Sequence, residues 1–96
     1  MERFLTSLLA ETPAALKIVL VAPPPMELGA WVSGQRTIET SHQLAGCYEA
    51  VAHRLGIAFA DAGAWDVGLA YDGVHFSEEG HLAFAKGMRK ALDTLP

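Results

Sequence analysis

An aspartate three residues before a histidine is the feature of this sequence with the clearest chemical potential. Asp72 and His75 lie in segment 71–81, where Gly73 favours a turn and Ser77, followed by two glutamates, opens a helix. In such a turn the Asp72 carboxylate can fold back onto Nδ1–H of the imidazole, which fixes the tautomer and leaves Nε2 as a base. The pair therefore points to acyl-transfer chemistry.

Acyl transfer also needs a nucleophile, and no serine of this chain is predicted to supply it. The four serines have simpler predicted places in a helix, in a loop, in a second helix and at a helix cap: Ser7, Ser33, Ser41 and Ser77, in that order. We therefore expect the nucleophile to come from polypeptide outside these 96 residues.

An Asp-x-x-His sequence also has a simpler interpretation, a surface turn whose carboxylate caps a helix or accepts a backbone hydrogen bond. Here the motif follows an apolar strand and precedes an amphipathic helix, which places His75 at the carboxyl edge of a parallel sheet. That context favours the catalytic interpretation. Asp61 and Asp66 do not lie three residues before a histidine, and they are predicted to end a strand and to lie in a loop.

Segment 71–81 resembles the C-terminal signature block of the SGNH hydrolases, the GDSL-like esterase and lipase family. In that family an Asp-x-x-His sequence supplies two members of a Ser-His-Asp triad, so the resemblance implies those roles for Asp72 and His75. The family's Gly-Asp-Ser motif, which carries the nucleophile, and its Gly-x-Asn-Asp motif, which belongs to the oxyanion hole, are not found in this chain.

The resemblance implies a fold and a partner. Residues 1–96 are expected to form one partial domain, the C-terminal half of a flavodoxin-like α/β fold with parallel strands flanked by helices, in three layers when complete. The nucleophile-bearing N-terminal half, or a second copy of the chain, is the expected partner. An ester is the expected substrate, and no cofactor is implied.

The elements predicted around the site alternate between helices and strands. Residues 2–11 form an amphipathic helix, 17–22 and 57–61 are short apolar runs typical of buried parallel strands, and 36–55 form a longer helix closed by Gly56. The predicted apolar face of the first helix is formed by Phe4, Leu5, Leu8 and Leu9, and that of the second by Leu44, Tyr48, Val51 and Leu55. A third helix begins after Ser77, and its predicted apolar face is formed by Leu82, Ala85, Met88 and Leu92.

Two loops follow the predicted strands, and the carboxyl ends of parallel strands are where open α/β sheets place their binding crevices. We expect the loop residues Pro24, Pro25, Trp31 and Val74 to line a substrate pocket. For Trp31, a role in covering the core is an equally good interpretation.

Composition excludes several classes of function. The net charge of −4 offers no basic stripe for nucleic acid, and the longest apolar run, 18–26, is too short for a membrane span. The cytoplasm is the default location, unless an upstream signal belongs to a longer protein. The single Cys47 is expected to be a small buried residue.

A metal site is not expected. Asp72, His75 and His81 could be imagined as ligands, but the sequence has no His-x₃-His or paired cysteine motif that would hold two ligands of a zinc ion rigidly. His42 and His53 fit ordinary helical positions. The leading hypothesis is a serine ester hydrolase, and the alternative is a non-catalytic α/β binding or assembly module.

Overall fold

The computed structural model describes residues 1–14 and 16–95. Helix α1 spans Glu2–Glu11 and is followed by strand β1 at Val19–Ala22, helix α2 at Gln35–Leu55 and strand β2 at Ala58–Asp61. A short 3₁₀ helix at Ala62–Ala64 leads into the loop before helix α3, Glu78–Asp93. The predicted alternation of helices and strands is confirmed.

Strands β1 and β2 pair in parallel, with Val19 opposite Ala58 and Ala22 opposite Asp61. Each strand is four residues long and consists mainly of apolar residues, as is typical of parallel strands that are connected by a helix. The loops that follow both strands therefore start at the same edge of the sheet.

Helix α2 covers one face of this sheet. Leu20 and its register partner Phe59 point to that face and pack with Ala52 of α2 and with Leu5 of α1. The partly buried side chains around this cluster include three of the four residues of the predicted α2 stripe: Tyr48, Val51 and Leu55. On the opposite face, Val19, Val21, Ala58 and Ala60 are only half-buried.

Helix α1 contributes less of its apolar face than its sequence predicts. Leu5 is buried, but Phe4 is 66% exposed and Leu8 is 37% exposed. Glu2 of α1 forms an ion pair with Arg54 of α2 at 2.8 Å, which is worth at most about 1 kcal/mol because both side chains are exposed.

Helix α2 ends where its sequence predicts. Gly56 adopts the left-handed conformation with φ 68°, and its N–H caps the carbonyls of the last turn. The prediction of a buried Cys47 is wrong, because its side chain is exposed. Cys47 lies roughly a quarter turn from the centre of the stripe formed by Tyr48, Val51 and Leu55, so it lies at the side of α2, outside the face that packs on the sheet.

Helix α3 packs through glycines, and the predicted stripe of Leu82, Ala85, Met88 and Leu92 is wrong. Leu82 and Leu92 are 65% and 53% exposed, Ala85 is exposed and Met88 is only half-buried. The buried residues of α3 are Gly80 and Gly87.

The packed face of α3 is thus rotated by about a third of a turn from the predicted one. A side chain at Gly80 would overlap the carbonyl oxygen of Gly68, and one at Gly87 would overlap the indole of Trp65. Close backbone approach, which only glycine permits, decides which face of α3 meets the preceding loop.

None of the helices in the described residues is both long and apolar enough to cross a membrane.

Gly80→Ala should lower the free energy of unfolding, whereas Gly46→Ala should raise it. Gly46 lies in the interior of α2, where the substitution gains about 1 kcal/mol of helix propensity, whereas Gly80 lies in the first turn of α3 and gains less. At Gly46 the new methyl meets nothing within 4 Å. At Gly80 it meets the fixed backbone of Gly68, and overpacking of this kind costs about 1–3 kcal/mol.

Urea unfolding of the two variants and the wild-type chain measures the difference. If Gly80→Ala were as stable as Gly46→Ala, the close packing of α3 on Gly68 would be contradicted.

Candidate active site

The segment that carries the Asp-x-x-His sequence is a tight hairpin after β2. Leu69 and Phe76 form an antiparallel bridge, and the Ala70 N–H donates to the carbonyl of His75 at 2.6 Å. Gly73 lies in the turn with φ 79°, a conformation that side-chain-bearing residues rarely adopt. This turn brings Asp72 and His75 onto the same side of the hairpin.

Asp72 is buried and fully engaged in hydrogen bonds. The residue is 4% exposed, and its Oδ1 accepts from the N–H groups of Val74 at 2.8 Å and His75 at 2.9 Å. Its Oδ2 lies 2.6 Å from Nδ1 of His75. The three contacts fix the carboxylate in position and in rotation.

These hydrogen bonds also set the charge of the pair. The Val74 N–H lowers the pKa of Asp72 below its ordinary value, burial opposes this shift, and the His75 N–H and imidazole reinforce it. Asp72 is therefore ionised at neutral pH. A carboxylate oxygen can only accept, so Nδ1 of His75 carries the proton of their hydrogen bond.

His75 itself is open to its surroundings, with 64% of its side chain exposed. With Nδ1 committed to Asp72, Nε2 is the nitrogen that can take up a proton from another group. Among residues 1–14 and 16–95, no serine hydroxyl hydrogen-bonds to the imidazole.

A second loop, residues 27–32 after β1, is joined to the hairpin by backbone hydrogen bonds. The Glu27 N–H donates to the carbonyl of Gly73 at 3.0 Å, Ala30 donates to Tyr71 at 2.9 Å and Trp31 donates to Asp72 at 3.2 Å. A Cβ at Gly29 would lie 2.6 Å from the backbone of residues 71–73, so the two segments are in direct contact there.

Trp31 lies beside the pair. Its indole contacts the His75 imidazole with the ring centroids 5.3 Å apart and the planes at 81°. Trp31 is 66% exposed, so it does not cover the core. Val74 is half-buried, and its backbone N–H is one of the two that hold Asp72.

Pro24 and Pro25 line a different cavity, of about 270 Å³, together with His42, Asp66 and Val67. Asp72, His75 and Trp31 do not contribute to it. The structure thus brings Trp31 and Val74 to the Asp72–His75 pair but not the two prolines. A substrate-binding role for any of the four stays a prediction.

No metal cluster is present among the described residues: no three His, Cys, Asp or Glu side chains converge there. His81 lies against the ring of Phe76, with centroids 5.3 Å apart. Asp61 ends β2 and accepts a hydrogen bond from the Gly63 N–H at 2.8 Å, as expected for a strand-ending residue.

Two positioning features were not predicted from the sequence. Ser41 is buried in α2, where its hydroxyl donates to the carbonyl of Ile38 at 2.7 Å and accepts from the Met26 N–H at 3.0 Å. Gly29 allows loop 27–32 to contact the hairpin. For Gly29, the available signal was a glycine in a loop at the strand edge. For Ser41, no local sequence pattern indicates the buried hydroxyl.

Three solved structures are similar to this chain. A protein from Agrobacterium tumefaciens that is described as an arylesterase shares 35% identity over 82% of this chain, with a TM-score of 0.69. Two carbohydrate acetylesterases from Sinorhizobium meliloti share 26% identity over 94% (TM-score 0.79) and 32% identity over 81% (TM-score 0.64). No family model and no curated protein matches the chain by sequence.

The chain spans 39%, 47% and 39% of the lengths of these three structures, which is less than half in each case. All three are assigned as esterases. The predicted fold class, parallel strands flanked by helices as in the SGNH hydrolases, is confirmed by this likeness together with the parallel β1–β2 pair.

Asp72→Asn should make the chain less stable at neutral pH, and the difference from the wild type should shrink in acid. The pKa of Asp72 is lowered in the folded state, so the stability that its charge contributes is present above the unfolded pKa, about 3.9, and is lost as the pH falls through the folded value. Asn keeps the shape and one acceptor oxygen but carries no charge.

The measurement is the free energy of unfolding of both proteins by urea between pH 2 and 7. A constant difference across that range would show that the ionised carboxylate contributes nothing to the fold.

Proposed function

We propose that this chain is the C-terminal part of a serine ester hydrolase of the SGNH type, an esterase, lipase or acylhydrolase, to which it contributes His75 as base and Asp72 as its orienting acid. The observation that carries the proposal is the 2.6 Å contact between Asp72 Oδ2 and His75 Nδ1. The same carboxylate is fixed by two backbone N–H groups, while the imidazole is largely exposed. A merely structural histidine would not need a buried, ionised partner beside an accessible ring.

The proposed reaction is acyl transfer to water. A serine hydroxyl supplied by the partner attacks the ester carbonyl while Nε2 of His75 takes the hydroxyl proton. His75 then returns that proton to the leaving alcohol as the C–O bond breaks. Water releases the acyl group from the serine by the same route, and the Asp72 charge stabilises the imidazolium in both steps.

The partner in this proposal is an N-terminal half that carries the nucleophile. One face of the β1–β2 sheet is only half-buried, and large apolar side chains lie exposed on two helices, including Phe4, Leu82 and Leu92. Apolar surface of this extent fits a chain that packs against further polypeptide. The esterases similar to this chain are more than twice as long as the part it matches.

A second copy of the chain is the other partner to consider. Sedimentation of the chain, alone and mixed with the N-terminal half, separates a self-associated form from a one-to-one complex.

An acetyl ester is the proposed substrate class, with acetylated sugars as the first compounds to assay. Two of the similar structures are carbohydrate acetylesterases, at 26% and 32% identity.

The chain alone should hydrolyse an activated acetyl ester no faster than free imidazole does, and an N-terminal half bearing a Gly-Asp-Ser motif should restore turnover. In the reconstituted enzyme, His75→Ala should lower kcat by at least about 10³-fold, because removing a triad member leaves only residual catalysis. A serine-directed phosphonate should abolish the turnover. Steady-state kinetics at equal folded concentration provide the measurement.

His81→Ala is the matched control, since His81 is also an exposed histidine in contact with an aromatic ring but forms no ion pair with a carboxylate within residues 1–14 and 16–95. It should keep near wild-type kcat. Equal losses for the two variants, or turnover that survives His75→Ala, would favour the non-catalytic α/β module instead.

A further inference from the structure

We propose that Trp31 is a positioning residue for His75: its indole holds the imidazole in the orientation that Asp72 sets, so that Nε2 stays directed at the substrate. The effect on catalysis rests on the proposed hydrolase function. The contact itself does not depend on that function.

The first support is the small number of groups that hold the imidazole. The His75 side chain is 64% exposed, and the Asp72 hydrogen bond restrains it only at Nδ1. An exposed ring held by one hydrogen bond can still tilt about that bond. The Trp31 indole, at 5.3 Å and 81°, is a second contact at a different part of the ring, and two separated contacts define an orientation that one cannot.

The second support is the rigid connection between the two residues. The Trp31 N–H donates to the carbonyl of Asp72, and the neighbouring Ala30 and Glu27 are bonded to the same hairpin. Loop 27–32 is closed on itself by the reciprocal Gly29–Val32 hydrogen bonds of 3.0 and 3.2 Å. Trp31 and His75 are therefore held in one unit, and the ring-to-ring contact does not depend on a mobile loop.

The third support is that Trp31 has no packing role among the described residues, 1–14 and 16–95. Its residue is 66% exposed and it takes no part in the hydrophobic core around Leu5, Leu20 and Ala52. The second tryptophan, Trp65, is by contrast half-buried against Phe84 and Gly87. The imidazole of His75 is the aromatic ring that Trp31 contacts in the structure.

The mechanism requires this restraint because proton transfer takes place only over a short distance. Nε2 must come within about 3 Å of the nucleophile's hydroxyl, so a ring that tilts about its single hydrogen bond spends less time in a productive geometry. Trp31 does not exchange a proton with the substrate and acts through His75 alone. Its loss should therefore lower kcat more than it changes KM.

The test has a structural arm that uses the 96-residue chain without catalysis. NMR chemical shifts of the His75 ring protons report the neighbouring indole through its ring current. Trp31→Ala should move these shifts toward those of an unstructured histidine and increase the fast motion of the ring, while the shifts of His81 stay unchanged. Leu28→Ala is the matched control, because Leu28 lies in the same loop, is 68% exposed and carries no aromatic ring whose current could shift the imidazole signals.

The kinetic arm uses the reconstituted enzyme. Trp31→Ala should lower kcat about tenfold with KM changed less than twofold, Trp31→Phe should recover most of the loss, and Leu28→Ala should have no effect. His75 shifts that are unaltered in Trp31→Ala, or an unaltered kcat, would overturn the proposal. If the shifts move as expected but the wild-type reconstituted enzyme has no turnover, the positioning of His75 by Trp31 stands and the hydrolase assignment fails.

Discussion

The buried charge of Asp72 is the constraint around which this site is organised. A carboxylate removed from water is tolerated only when donors replace the lost hydration, and here two backbone N–H groups and one imidazole N–H do so. All three donors belong to Val74 and His75, within three residues of Asp72, which requires a tight turn. That turn places His75 at the surface with one nitrogen committed and the other available.

Close backbone approach at glycines connects this turn to the rest of the molecule. Gly73 and Gly29 let the hairpin and the loop after β1 contact each other, and Gly80 lets α3 approach Gly68 at the foot of the hairpin. Ser77 adds hydrogen bonds at the same point, donating to Gly68 and accepting from the Gly80 N–H. The Asp72–His75 pair is thus supported by both strand-edge loops and by the start of the last helix.

The elements were predictable because their signals are local. The left-handed Gly56 at the end of α2 and the Ser77 cap of α3 follow from residue type and spacing. The parallel β1–β2 pair is a long-range contact, but the local strand and helix patterns give a strand-helix-strand order, and a helical crossover joins parallel strands. The burial of particular side chains was less predictable. Leu82 and Cys47, both exposed, show the reason: periodicity identifies an apolar face of a helix, but it does not tell which face a neighbouring element covers. In α3 the covered face is the one with Gly80 and Gly87, because only glycine allows the close approach.

The sequence by itself determined the alternation of helices and strands, the strand-edge position of the Asp72–His75 pair and the tendency of a three-residue spacing to form their hydrogen bond. Only the tertiary structure decided that Asp72 is buried, that Trp31 lies on the imidazole and that the prolines line another cavity. The physical reason is the distance along the sequence between the residues that interact. A turn and a cap depend on neighbours within four residues, whereas the contact between Trp31 and His75 joins residues more than forty positions apart, and folding alone brings them together.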